Sequence, residues 1–264
     1  KLAQVWKAFA ATLNISNNDF VRTTESRHKE IVQAGLAKVH AAGKVYKKIY
    51  QGFYSTKEET FVTEKERRPD GTFDPAYGEV IELQEENYFF KLQEQQQWLV
   101  DYLEQNPSFV SPEQRRNEVL GFLKNNRLED LCISRPKARL SWGIPLPFDP
   151  EYVAWVWFDA LVNYISVPAA RGDEAVAAAL HPSHLAPRAS HFHTWPADVH
   201  VIGKDILKFH AVYWPIMLKA LGVPLPKQLL VHGWWQKDGQ KLSKTTGNVV
   251  DPIEIGRASC RERV

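Results

Sequence analysis

Between Val199 and Val231 the chain reads as strand, helix, strand: Val199 to Ile202, Asp205 to Leu221 and Gln228 to Val231. Strands alternating with helices of this length imply a parallel sheet, and the ligands of such sheets sit beyond the strands' carboxyl ends. A buried-looking run, Val153 to Phe158, predicts another strand of this kind, ending at Trp157 and followed by a helix from Asp159. Chemistry is therefore expected at Trp157, Gly203 and His232.

Other patterns surround this unit. Residues 1–47 read as two helices, the first with Leu2, Val5, Trp6, Phe9 and Leu13 on one face. The second runs from near Ser26 through Ile31, Val32, Leu36 and Val39 to a stop at Gly43. Residues 48–87 change to short strand-like pieces, IYQGFYS, ETFVTE and EVIEL, around the turn-rich RRPDGTFDP, which predicts a small β-rich insertion. Residues 88–127 return to helix with a break at Asn106-Pro107, and residues 128–240 carry the strand and helix alternation. The fold class is thus α/β, a parallel sheet interrupted by a small β-containing domain. Both ends predict a piece of a longer chain: there is no initiating Met, and Lys1 already opens an amphipathic pattern. GRASCRERV continues no earlier period and resembles a translated sequencing adapter, so residues 255–264, Cys260 included, are set apart as a non-native tail.

Composition narrows function by exclusion. Thirty-three basic against 31 acidic residues leave a formal charge of +2, far from the excess of a protein whose whole surface grips nucleic acid. Any RNA contact is local, and DNA is not an expected partner. Two cysteines without a C-x-x-C pair make neither a disulfide framework nor a cysteine zinc site, and a reducing, cytoplasmic setting is the default. No run approaches the roughly 18 apolar residues of a membrane span, so no membrane partner is expected. His181, His184, His191 and His193 lie in a Pro/Ala-rich stretch with neither paired carboxylates nor i, i+4 spacing, and no metal site is expected there.

Three segments carry chemistry. KLSKTTGNVVDP (241–252) puts two lysines in a loop with glycines on both sides; by itself it reads as a solvated Lys/Ser turn. In HVIGKDILKFHAVYWPIML (200–218), Gly203 lets a ligand approach the backbone where the strand ends, and Lys204 and Asp205 open the helix. Asp205 there can serve the helix dipole or hold a ribose hydroxyl. Ile206, His210 and Trp214 recur at i, i+4 and i+8 and share one face; a lone His on such a face is usually a satisfied structural residue. VWFDALVNY (156–164) sets Ala160 and Tyr164 one turn apart, and its aromatics alone would read as core.

Together these segments resemble the signatures of class I aminoacyl-tRNA synthetases, most closely the methionine-specific family. KLSKT resembles KMSKS, with Leu242 for Met and Thr245 for the final Ser, and VWFDALVNY resembles W-x-D-A-P-x-x-Y with Leu161 for Pro. DFVRTTESRHKEIVQ and EENYFFKL resemble the flanks of that family's connective insertion, and Ile133-Ser134-Arg135 its I-S-R segment. The resemblance covers residues 1 to about 254, without a HIGH motif or anticodon-binding helices. It implies a Rossmann-like nucleotide-binding fold and ATP-dependent joining of methionine to initiator and elongator methionine tRNAs through an adenylate, with Mg²⁺ accompanying ATP. It implies that Lys241, Lys244 and Arg135 act in catalysis, Lys241 and Lys244 by neutralising charge on departing pyrophosphate. Gly203, Lys204, Asp205, His232, Gly233, Ser243 and Lys244 would hold ATP. Trp157, Ala160, Tyr164, Ile206 and His210 would hold methionine, whose uncharged thioether suits aromatic contacts and one weak donor. The insertion lacks the cysteines of a zinc knuckle, so no zinc is expected, and the piece alone, without HIGH, is expected to be inactive. The rivals are a Leu, Ile or Val enzyme, which carries a longer editing insertion, and a nucleotidyltransferase of the same fold, which needs no connective insertion. A non-enzymatic tRNA-binding module is the third.

Overall fold

The computed structural model describes residues 2–57, 60–62, 64–180, 194–237, 239–242 and 247–250. Helix α1 (Leu2–Thr12) buries none of its residues, and Leu2, Val5 and Trp6 on its apolar face are exposed. Helix α2 (Ser26–Ala41) turns Ile31, Val32, Leu36 and Val39 into the core and ends just before Gly43, whose φ of 66° suits a residue without Cβ.

Strand β1 (Val45–Ser55) follows directly. It pairs with the short β2 (Thr60–Val62) and, antiparallel over its whole length from Val45↔Phe90 to Ser55↔Val80, with β3 (Val80–Phe90). Helices α3 (Gln96–Gln105) and α4 (Glu113–Asn125) come next, with the two-residue strand β4 (Val110–Ser111) between them. Strand β5 (Leu131–Cys132) extends the hairpin sheet at Phe89 and Phe90. Strands β6 (Ser134–Pro136), β7 (Pro145–Leu146) and β8 (Asp149–Ala154) form a second antiparallel sheet with β8 in the middle. Helices α5 (Val156–Ala170) and α6 (Glu174–Leu180) follow. Strand β9 (His200–Gly203), helix α7 (Trp214–Leu221) and strand β10 (Leu229–His232) make the crossover unit. The chain then forms the small hairpin of β11 (Gln236–Lys237) and β12 (Gln240–Lys241). The parallel sheet has the order β4-β10-β9.

The strand-helix-strand reading of residues 199–231 agrees with this sheet, but three expectations need correction. The strand predicted to end at Trp157 stops at Ala154 and belongs to the antiparallel sheet; Trp157 lies in the first turn of α5, which starts at Val156 rather than Asp159. An unbroken apolar run does not distinguish strand from helix by period, and here Trp155 takes extended angles (φ −81°, ψ 146°) and caps the helix. Residues 88–90 are strand, continuing β3 into the core, where Phe90 is fully buried. The Pro break after α3 holds β4, a parallel partner of β10.

The core gathers around α5, with Phe158, Val162 and Ile165 fully buried alongside Trp214, Phe90 and Phe109. Helices α2 and α7 pack on it closely at Gly35, where a Cβ would lie 3.4 Å from Leu221 Cδ2 and 3.9 Å from Phe158 Cε1. At the helix ends Asp19 joins Arg27 through two short contacts (2.6 and 2.8 Å) and Arg171 at 3.0 Å, and the Arg27 hydrogen bond draws the Asp19 carboxyl down to about 2. The contact at Gly35 admits one methyl group and no more. Gly35→Ala is expected to stay within about 1 kcal/mol of the parent, because better helix propensity offsets the tight fit. Gly35→Leu should lose roughly 1–3 kcal/mol through overpacking, which urea titration of the two variants measures.

Candidate functional site

The segment from β9 to α7 is not a uniform helix. A tight turn at Lys204–Ile206 leads through Leu207 and Lys208 into a π turn at Phe209–Tyr213, and α7 continues from there. A π turn accommodates an extra residue and recurs at functional sites. In this register the neighbours Phe209 and His210 both meet α5. Phe209 stacks on Trp157, with ring centroids 3.3 Å apart and planes at 9°. His210 Nε2 lies 2.8 Å from Tyr164 Oη. His210 Nδ1 is 2.9 Å from the Ile206 carbonyl, which only accepts, so the ring proton sits on Nδ1 and Nε2 accepts the tyrosine O–H. Burial lowers the His210 pKa and raises that of Tyr164, which keeps the pair neutral near pH 7.

Beneath this pair lies an aromatic layer. His200 is buried at the start of β9, its Nε2 accepting the Trp214 indole N–H at 3.3 Å and its ring centroid 4.2 Å from that of Tyr164. Burial, aided by His210, pulls the His200 pKa to about 4. Trp195, with its ring 5.9 Å from His200, donates its indole N–H to the Pro224 carbonyl. The buried Asp173 carboxylate fixes Trp195 by accepting the backbone N–H groups of Thr194 and Trp195 at 2.7 and 2.9 Å. Sequence reasoning passed over His200. Its signal was the two-residue period of the strand, in which His200 and Ile202 face inward while Val201 faces out.

Of the five residues expected to hold methionine, Trp157, Ala160 and Tyr164 stand on α5, and Ile206 and His210 on the segment that crosses it. A cavity of about 690 Å³ opens at Trp157, with Asp159, Phe209, Lys208, Trp155 and Arg135 also in its wall; Ala160, Tyr164, Ile206 and His210 stand nearby on the same two elements but do not line it. Arg135 is buried rather than a solvent-facing ion-pair donor: its guanidinium lies 3.9 Å from the Trp155 ring centroid and donates to the Ser134 carbonyl. A larger cavity, about 860 Å³, lies against the hairpin face at Tyr46, Tyr50 and Arg127 and contains none of the predicted residues.

Of the residues expected to hold ATP, Gly203, Lys204, Asp205, His232 and Gly233 lie at or beside the other end of the same segment. Gly203 and His232 are direct partners at the carboxyl ends of β9 and β10. A Cβ on Gly203 would come within 2.6 Å of Asp205 Oδ1 and 3.7 Å of His232 Cε1, so only glycine leaves that corner open. His232 Nδ1–H donates to the Gly233 carbonyl, and Lys204 Nζ lies 3.6 Å from the Trp234 ring centroid. Lys241 pairs with Gln236 across the small hairpin. Ser243 and Lys244, like His181, His184, His191 and His193, lie outside the described residues. Among the described residues no three His, Cys, Asp or Glu side chains are grouped as metal ligands.

Residues 1–82 and 68–261 match the family described as tRNA synthetases class I (M). The chain belongs to the class I tRNA synthetases of this methionine group. It is 44% identical to a methionine–tRNA ligase of Rickettsia felis over 243 residues, 92% of this chain and 44% of that protein. It is also 44% identical to one of Rhizobium meliloti over 249 residues, 93% of this chain and 45% of that protein. Among solved structures, Mycobacterium tuberculosis methionyl-tRNA synthetase bound by methionyl-adenylate superposes with a TM-score of 0.79 at 36% identity, covering 97% of this chain and 48% of that one. Its apo form gives 0.76 at 35% identity. The chain spans a little under half the length of these relatives.

The buried His200 makes this synthetase region acid-sensitive. Its folded pKa lies below the ordinary 6.5, so the unfolded chain takes up the proton first as pH falls. The contribution is complete above about 6.5 and is lost toward pH 4. His200→Gln, which keeps an acceptor for Trp214, should flatten this dependence. Between pH 7 and 4.5 the parent is expected to lose about 2–3 kcal/mol more than the variant, read from urea midpoints at the two pH values.

Proposed function

We propose that the chain is the catalytic interior of an enzyme that joins methionine to its tRNA in two steps, forming methionyl-adenylate and pyrophosphate from methionine and ATP and then passing the acyl group to the tRNA 3′ end. The observation that carries this reading is that one continuous segment, Gly203 to Tyr213, ends a parallel strand beside His232 and, within seven residues, delivers His210 to Tyr164. A nucleotide crevice and an apolar side-chain wall are thereby held at a fixed separation, as a reaction between an amino-acid carboxylate and a nucleotide phosphate requires.

The wall suits methionine on chemical grounds. Trp157 and Phe209, which line the cavity, offer aromatic surface to a polarisable sulfur. Because the His210 tautomer is set by the Ile206 carbonyl, the Tyr164 hydroxyl gives its proton to His210, and the pair adds no charge beside the aromatic surface. Gly203, Lys204, Asp205, His232 and Gly233 would take ATP, with Mg²⁺ arriving as part of that substrate. Arg135 faces the cavity as a fixed cation toward the phosphates or the amino-acid carboxylate. Lys241, Lys244 and Ser243 would close over the leaving pyrophosphate. The acceptors are initiator and elongator methionine tRNAs, and the setting is the cytoplasm.

ATP–pyrophosphate exchange by the full-length protein with each amino acid tests the reading: methionine alone should support rapid exchange, and leucine-dependent exchange of equal efficiency would reject it. Within that assay Lys244→Ala should slow adenylate formation by orders of magnitude with much smaller changes in methionine affinity, since charge on the pyrophosphate grows toward the transition state. A near wild-type single-turnover rate would reduce Lys244 to a solvated turn. His210→Ala should lower the preference for methionine over leucine, by about 10- to 200-fold if it removes one methylene-sized discrimination; an unchanged ratio would remove His210 from the pocket.

A further inference from the structure

One buried polar group close to the wall remains unused by the reaction as described. His28, in the first turn of α2, is fully buried, and both of its ring nitrogens engage α5. Nε2 lies 2.5 Å from Asp159 Oδ1, and Nδ1 lies 2.8 Å from Ser166 Oγ, which also contacts the Val162 carbonyl at 2.9 Å. Asp159 and Ser166 are seven residues apart, two turns of one helix face. A single imidazole therefore pins two successive positions of α5 to α2. Asp159 Oδ1 accepts, so Nε2 carries a proton toward it.

Asp159 differs from an ordinary packing residue in where it stands. Its side chain is 22% exposed, and it lines the same cavity as Trp157 and Phe209. It falls between Trp157 and Ala160 in the first turn of α5, the turn that carries the Trp157 side of the wall. A buried imidazole–carboxylate contact is a weak source of stability, because apolar side chains of the same volume would hold two helices together as well. What it adds is direction. Through a short, directional hydrogen bond it fixes the turn both along and around the helix axis, which dispersion contacts do not. Farther along, the Asp19 contacts with Arg27 and Arg171 anchor the opposite end of α5 to the start of α2. With that end held, the His28 contact is the polar tie between α2 and the turn of α5 that carries Trp157, whose ring stacks on Phe209.

We propose that His28, acting through Asp159, is a positioning residue of the amino-acid pocket, setting the first turn of α5 and so the Trp157–Phe209 wall against which the substrate side chain is selected. This rests on the methionine-activating function proposed above. His28 touches no substrate; its effect is on binding rather than on the chemical step.

The test uses the full-length protein, with methionine as the ligand and two readouts: the change in intrinsic tryptophan fluorescence on titration, and KM and kcat of methionine-dependent pyrophosphate exchange. Asp159→Ala and His28→Ala are expected to raise the half-saturating methionine concentration about tenfold or more while kcat stays within about threefold, the pattern of a binding geometry lost without loss of transition-state contacts. Asp159→Asn retains an oxygen to accept from His28 and should recover binding to within about threefold of the parent. Should His28→Ala fail to fold, the Asp159 pair decides alone, since that side chain is partly exposed. Unchanged methionine binding in Asp159→Ala overturns the proposal. So does an Asp159→Asn variant as impaired as Asp159→Ala, which would make the carboxylate's charge, and not its bond to His28, the operative feature. Absence of any methionine response in the parent protein is a separate result: it removes the functional reading, and this proposal with it.

Discussion

The hydrogen bond from Tyr164 to the unprotonated Nε2 of His210 joins the two frameworks on which the site is built. On one side is α5, held by α2; on the other is the strand-to-helix segment that begins at Gly203, beside His232. The bond depends on the His210 tautomer, and the tautomer depends on the Ile206 carbonyl four residues earlier in the same segment. Backbone geometry thus determines a protonation state, and the protonation state determines which way a tyrosine hydroxyl points. Charging His210 would make Nε2 the donor and reverse the bond, the Tyr164 oxygen then accepting, and burial opposes that charge.

The aromatic layer below has a related logic. His200, Trp195 and Trp214 surround Tyr164 from beneath, and each polar atom among them that points inward meets a partner: Trp214 on His200, Trp195 on the Pro224 carbonyl. Buried polar groups so satisfied give a core a single arrangement. Asp173 carries the pattern outward by collecting backbone N–H groups where the chain re-enters the fold at Thr194. The aromatic layer is therefore held in one arrangement by its polar groups as well as by its packing.

Much of this could be read from the residues, and the failures have physical causes. Strands β9 and β10 were legible because VHVIG and QLLVH are short, apolar and separated by a helix-length stretch, and the glycine and histidine at their ends do stand side by side. Strand β4 was not, because two residues in a Pro-broken helical region carry no period. Trp157 was expected at the end of a strand and lies in a helix, since VAWVWF satisfies both. The buried histidines escaped for opposite reasons. His200 lay in a strand whose alternation was not followed to its first residue, whereas His28 sits in SRHKE, which reads as a solvent face and is buried only because α5 brings Asp159 and Ser166 to it from more than 130 residues away. No local pattern records a pairing at that separation.

The π turn at Phe209–Tyr213 also bears on how such a wall can change. A helix that holds one surplus residue has, in effect, two phases, one before the insertion and one after. Each α-helical residue advances the side-chain direction by about 100°, so the part of the segment ahead of the turn is indexed to the corner at Gly203 while α7 behind it is indexed to the core. The two indices are decoupled. Phe209 and His210 lie within the turn itself, at the point where the phase changes, while Trp214, Met217 and Leu221 behind it are seated in the core. Loss of the surplus residue would lock the two phases together and force the pocket to take whatever orientation the core dictates.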